Sequence, residues 1–477
     1  MAVLAGLKPE RVFHYFEEIC GIPHPSYHEE KISAYLVEYA KSHNLEYYTD
    51  DLYNVIMIKE ASKGMENAEP LILQGHMDMV AEQEADCTKN MLEDGLDLEV
   101  VDGFVTAKGT TLGGDDGIAV AMALAILEDE ELKHPRLEVI ITVSEEVGME
   151  GAAGIDVSML KGRKLLNLDS EEEGHFLAGC AGGCRMDVEF PFKKESLKGA
   201  LVSIEVKDCK GGHSGTEIIR GRANATHMVN RILAAASDES VCLVDFVGGT
   251  KDNAIPRATI AKVVANQAAI DAMMVEAEAI KNEYAVTDPE MKIEIKNEGN
   301  VVVDGVNAEA TKRIIELLLS MPNGVQAMSH DIEGLVETSL NLGILNLLED
   351  ELKFSFSLRS SVDSAKKALM RKVRMVAEAY GCKVSVHGEY PAWEFKRDSS
   401  FRDELVKLYE DMTGNKAIVE TMHAGVECGL LASKLEGLDA VSIGPEMYDI
   451  HTPKERLSIA STERIYNYVR KVIETSN

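Results

Sequence analysis

Four apolar runs of strand length end in aspartate, glutamate or histidine, and this recurring design narrows the fold more than any other feature. LILQGHMDMV (71–80) brings His76 and Asp78 to its polar end. Residues i and i+2 of a strand share a face, so both side chains point into one crevice. LEVIITVSEE (137–146) ends on Glu145 and Glu146, KLLNLDSEEE (164–173) reaches Asp169, and LDAVSIGPEMYDIH (438–451) runs through Gly-Pro to His451. Between the first two runs, TTLGGDDGIAVAMALAILED places Asp115 and Asp116 in a glycine-rich turn ahead of an apolar helix. Open α/β sheets bind ligands outside the carboxyl ends of their strands. A lone His-x-Asp recurs by chance and a single acidic strand end is ordinary loop surface. Four such ends converging with two histidines point to a site.

Strand–helix alternation frames these runs. Residues 8–43 read as helices separated by the IPHPS turn, and Asp102-Gly103 in LDLEVVDGFVTAKG marks a hairpin. The alternation continues to about residue 180 and resumes near 390, with helices expected at 399–412 and 460–475. The expectation is an α/β fold: a central, mostly parallel sheet flanked by helices. The middle reads differently, with strand-like LVSIEVKD, helix-like IIRGRANATHMVNRILAAA and strand-like VCLVDFVGG. MKIEIKN, AEATKRIIELLLSM, ELKFSFSLRS and SAKKALMRKVRMVAEAY follow in a second, similar pattern. We expect an inserted α+β domain over 187–388, so that the catalytic domain is discontinuous, over 1–186 and 389–477.

Charge and composition exclude several functions. A formal net charge of −32 leaves no basic face for nucleic acid. No apolar run is long enough to span a bilayer, and the first residues lack the pattern of a secretory signal, so a cytoplasmic location is expected. The eight cysteines form no disulfide framework. Cys180 and Cys184 of AGCAGGC read as small buried residues of a glycine-rich turn rather than a redox or metal pair.

Zinc accepts histidine nitrogen and carboxylate oxygen, and a catalytic site keeps one position open for water. His76, Asp115, Glu146, Asp169 and His451 are five such donors, too many for one open tetrahedral ion. They suit two ions that share a carboxylate, which together polarise a carbonyl and activate water. Glu145 leaves its strand in a different direction from Glu146, and is expected to take a proton from that water and pass it to a leaving amine. No GxSxG nucleophile pattern competes.

At these residues the chain resembles a known family. GHMDMV, TTLGGDDGI, TVSEEVGMEGA, NLDSEEEG, AGCAGG and GGHSG, in this order, look like the M20 metallopeptidases, most nearly the aminoacyl-histidine (Xaa-His, or cytosolic nonspecific) dipeptidases. The resemblance implies that His76, Asp115 and Asp169 hold one divalent ion and that Asp115, as bridge, joins Glu146 and His451 on a second. The ions are expected to be zinc, with manganese or cobalt as alternatives. It further implies that Asp78 orients His76, that Glu145 is the general base, and that the Asp115–Asp116 peptide bond is cis. The insertion would be a lid that also carries a homodimer contact. His213 of KGGHSG would help polarise the scissile carbonyl, in its own subunit or a partner's, and Asn253 of GGTKDNAIPR would contact the oxyanion or substrate. Arg359 of FSFSLRSS would clamp the substrate carboxylate with its guanidinium fork. His423 and Glu427 of TMHAGVECG are read as one helical turn apart, with Glu427 a candidate for the substrate amino group. The implied activity is two-metal hydrolysis of dipeptides, Xaa-His or broad in preference. Its rivals are an N-acyl amino acid amidohydrolase of the same architecture and a catalytically silent binding protein.

Overall fold

The computed structural model describes residues 2–237 and 240–476. Packing divides the chain into two compact units, one of Met1–Gly179, Phe395–Thr421 and Val426–Asn477, the other of Cys180–Glu394 and Met422–Gly425. The expected boundaries at 186/187 and 388/389 fall inside the second unit. The reason is pairing: strand Gly182–Pro191 is laced along its length to Glu351–Ser360 and Lys383–Tyr390.

The first unit is built on an eight-stranded sheet. Its four inner strands run parallel in the order Leu137–Thr142, Leu71–His76, Lys164–Asn167 and Asp439–Ser442. Glu46–Thr49 and Val55–Lys59 flank them antiparallel on one side. LILQGH and LEVIIT are buried at every position, as strands covered on both faces must be. Register sets the site: His76 lies beside Thr142 and Gln74 beside Asn167, so the residues that follow these strands leave the sheet along one edge. Residues 114–127 are all buried, and the helix is apolar all round because other elements enclose it. Its first residues are not helical: Asp115 (φ −83°, ψ 104°) and Asp116 (φ −118°, ψ 27°) form a turn, and their peptide bond is cis.

The second unit carries a nine-stranded sheet, and every pairing described within it is antiparallel. Its helices Ala225–Ala234, Gln267–Glu283 and Ala308–Ser320 each start at an asparagine (Asn224, Asn266, Asn307) whose side chain accepts from first-turn N–H groups. That cap corrects the helix expected from residue 218. Ile218–Arg220 is a single 3₁₀ turn ended by Gly221 at φ 60°, and the α-helix begins only at Ala225. The apolar spacing across 218–224 belongs to two elements. Among the described residues, no disulfide joins the cysteines.

Candidate metal centre

Asp115 stands between two histidines. Its Oδ1 lies 3.1 Å from His76 Nε2, and its Oδ2 lies 3.1 Å from His451 Nε2. Asp169 Oδ1 is 3.5 Å from His76 Nε2, and Glu146 Oε1 is 2.8 Å from His451 Nε2. The last contact is short, and that oxygen has no hydrogen-bond partner among the described residues. Adjacent donors about a tetrahedral cation stand about 3.4 Å apart when each is about 2.1 Å from the ion. The donor spacings here match that geometry. Three sets bring a nitrogen or oxygen from every member within 4.8 Å of one another: His76–Asp116–Asp169, His76–Glu145–Glu146 and Asp115–Glu146–His451. The donor chemistry fits divalent ions; Asp115 turns one oxygen to each histidine, while the set at His76 and Asp169 is completed by Asp116 rather than by Asp115.

The surrounding residues prepare these donors. His76 Nδ1 bonds to the main-chain oxygen of Asp78 at 3.0 Å, which leaves Nε2 free as a lone-pair donor. The Asp78 carboxylate is farther from the ring, 3.4 Å from Nδ1. It instead accepts from Glu145 N (3.0 Å), Glu146 N (3.3 Å) and Ser26 Oγ (2.8 Å). Asp78 thus ties the His76 strand end to the Glu145–Glu146 turn. We expect Asp78→Asn, whose NH₂ would face those amides, to weaken zinc binding by about 10- to 100-fold. Competition with a chromophoric chelator measures this, and unaltered affinity would remove Asp78 from the site's support. Gly75, just before His76, has a plain steric reason: a Cβ there would collide with Asp116 Oδ2. Asp116 is fully buried and accepts from His76 N at 3.2 Å.

The electrostatics favour bound cations. Burial works to lower His76, but the Asp169, Asp115 and Asp78 carboxylates prevail and hold it well above the usual imidazole range. Asp115 and Glu146 push His451 up to about 10. Burial, with Asp115 and Glu146 adding to it, raises Asp169 to about 6 against the pull of His76. Burial also raises Glu145, opposed by His76 and reinforced by Asp169, Glu427 and Glu146. A pocket this rich in carboxylate favours positive charge, whether proton or metal ion.

Some of the other expected residues assemble within the second unit. His213 pairs with Ala254 on a short ladder, and Asn253 O accepts from Ser214 N at 2.8 Å. His213 Nδ1 accepts from Gly215 N and Thr216 N, both at 3.3 Å, so its Nε2 carries the proton. That Nε2 faces Arg359 Nη2 at 3.5 Å, donor toward donor. Arg359 Nη1 bonds Tyr390 Oη at 3.1 Å, while its buried Nε has no partner among the described residues. Two facing donor groups leave both open to acceptor oxygens of a bound molecule, and the planar guanidinium suits a carboxylate.

Glu427 departs from its expected role. It is wholly buried, and its Oε2 accepts from Gln74 Nε2 and Thr142 Oγ1, both at 2.6 Å. Burial pushes it up to about 8. It braces the strand ends from within and presents no surface to a substrate. Nor does it share a helix with His423: the helix begins at Glu427, and His423 Nε2 bonds Ser339 Oγ at 2.7 Å in the second unit.

Sequence reading also missed two supports. Glu29 Oε1 accepts from both Ser144 N and Ser144 Oγ at 2.9 Å, holding the turn ahead of Glu145. Glu455 accepts from the backbone around Asp115. Both are single acidic residues outside any motif, and only their long-range partners identify them.

Comparison with known proteins agrees with this geometry. The pattern of peptidase family M20/M25/M40 matches residues 72–475. The chain is 34% identical to the cytosol non-specific dipeptidase of Escherichia coli (strain K12), with 99% of each chain covered. The crystal structure of an aminoacylhistidine dipeptidase from Vibrio alginolyticus superposes with a TM-score of 0.92 at 35% identity, covering 99% of this chain and 98% of the other. The aminopeptidase PepT of Bacillus cereus shares the fold, with a TM-score of 0.58 at 16% identity and 98% of each chain covered. The chain belongs to peptidase family M20/M25/M40 and is a hydrolase of peptide bonds.

Proposed function

We propose that this peptidase is a two-metal dipeptidase of Xaa-His or broad preference. The reading rests on one observation above all: the Asp115 carboxylate offers one oxygen to each of two histidines at the same 3.1 Å. His76, Asp115 and Asp169 would hold one divalent ion, and Asp115, Glu146 and His451 the other, with zinc favoured over manganese and cobalt. Bound there, the pair supplies Lewis acidity toward the scissile carbonyl and toward water. Glu145 takes the proton of the attacking water and returns it to the departing amine, and Asp78 fixes the turn from which it acts. His213, with its proton on Nε2, supplies a donor for the carbonyl oxygen, and Asn253 adds another. Arg359 receives the substrate carboxylate.

The likeness to two dipeptidases over nearly the whole chain supports the substrate class, as the donor pair His213–Arg359 supports an anionic one. A cytoplasmic location and a homodimer formed through the second unit complete the proposal. Among the described residues, no helix is long and apolar enough to cross a membrane. A panel of dipeptides including Xaa-His, assayed beside N-acyl amino acids, tests the reading. Dipeptides should be cleaved, chelation should abolish turnover, and zinc, manganese or cobalt should restore it. Turnover that survives chelation would sink the two-metal scheme, and preferential release of acyl groups would favour the amidohydrolase.

A further inference from the structure

Glu455 lies four residues beyond His451, at the end of a short turn, and its side chain is 3% exposed. Its Oε2 accepts from Leu112 N at 2.9 Å and Gly113 N at 3.3 Å. Its Oε1 accepts from Gly114 N at 2.8 Å and Asp115 N at 3.5 Å. Successive amides of a turn converge in this way when one residue takes a left-handed conformation, and Gly113 does so at φ 66°. The positive φ favours glycine at 113, and a Cβ there would also stand 2.9 Å from Met79 Sδ. The backbone of Glu455 is itself held: its N bonds Thr452 O at 3.0 Å, and its O accepts from Thr106 Oγ1 at 2.9 Å.

One carboxylate therefore joins the turn that carries Asp115 to the turn that carries His451. These two residues, with Glu146, make up one of the three donor sets. His76 ends one strand of the central sheet and Asp169 follows another, and none of the bonds made by Glu455 reaches them. We infer that Glu455 is the positioning residue of the Asp115–Glu146–His451 position, and that losing its charge loosens this metal position, where it holds the turns of two donors, more than the other, where it holds the turn of Asp115 alone. Only a carboxylate suits the place. It accepts on both oxygens and offers no donor, whereas a glutamine amide would turn NH₂ toward backbone N–H groups.

This inference rests on the two-metal reading, and its test separates the two. Full-length protein freed of metal is titrated with Co²⁺ or Zn²⁺ by calorimetry, and Co²⁺ spectra report the coordination of each equivalent. Wild type should take two ions per chain; fewer would overturn the two-metal reading and this inference with it. Glu455→Gln should bind its second equivalent about 10- to 100-fold more weakly, the range seen when an outer partner of a metal ligand is lost, and well beyond any loss at its first. Its turnover should recover as metal is raised, because Glu455 does not touch the substrate. Two equivalents at wild-type affinity, or both weakened alike, would overturn the inference. Should Glu455→Gln fail to fold, Glu455→Asp carries the same test. Its shorter carboxylate should give the same selective loosening to a smaller degree, and uniform or absent loosening would count against the proposal.

Discussion

Glu145→Gln is expected to keep both metal ions and the fold while lowering kcat by about 10²- to 10⁴-fold, the usual worth of a positioned general base. The Glu145 amide is fastened to Asp78 Oδ1 at 3.0 Å, and that bond is indifferent to the side chain. The substitution keeps shape and volume and removes only the capacity to take a proton. Burial and the neighbouring carboxylates Asp169, Glu427 and Glu146 raise this carboxyl against the pull of His76. A raised carboxyl is the stronger base once ionised, as the proposed role requires. Single-turnover hydrolysis of a dipeptide, alongside metal content by elemental analysis, gives the result. Dipeptide turnover within about threefold of wild type would remove Glu145 from the mechanism, since a general base contributes far more than that.

Asp115→Asn should reach further, costing both bound metal and turnover. An asparagine matches aspartate in size, but only its carbonyl oxygen can ligate, so it can serve one position at a time. With its NH₂ turned toward His76 or His451, one metal position loses an anionic donor and gains a repelling one. We expect fewer than two ions per chain after dialysis and turnover reduced by roughly 10³-fold or more, beyond the 10- to 100-fold that outer partners command. Two tightly bound ions with normal turnover would show that Asp115 is not shared. Read together, the two substitutions divide the site: one stops proton transfer with the metals in place, and the other removes a metal.

Much of this was legible before any coordinates. The strand ends at His76, Glu145–Glu146 and Asp169 follow from apolar runs of strand length, because a parallel strand covered on both faces is apolar throughout. The capping asparagines 224, 266 and 307 are local signals too, but the sequence reading did not use them, and it carried its helix through Asn224. Where local signals blurred, the reading failed. The helix expected from residue 218 merged a 3₁₀ turn with the true helix, because apolar spacing does not show where a chain breaks at a glycine. Glu427 carried the right chemistry for an ammonium but sits wholly buried against Gln74 and Thr142.

From sequence alone come the donor types, their order along the chain and the α/β frame that delivers them, because strand period, helix caps and ligand chemistry act within a few residues. Tertiary structure alone decided which oxygen of Asp115 faces which histidine, that Asp78 braces the Glu145 turn mainly through its carboxylate, and that Glu455 reaches back to amides more than three hundred residues earlier. These are contacts between segments far apart in the chain. Their partners are set by sheet register and packing, and no spacing in the sequence records them.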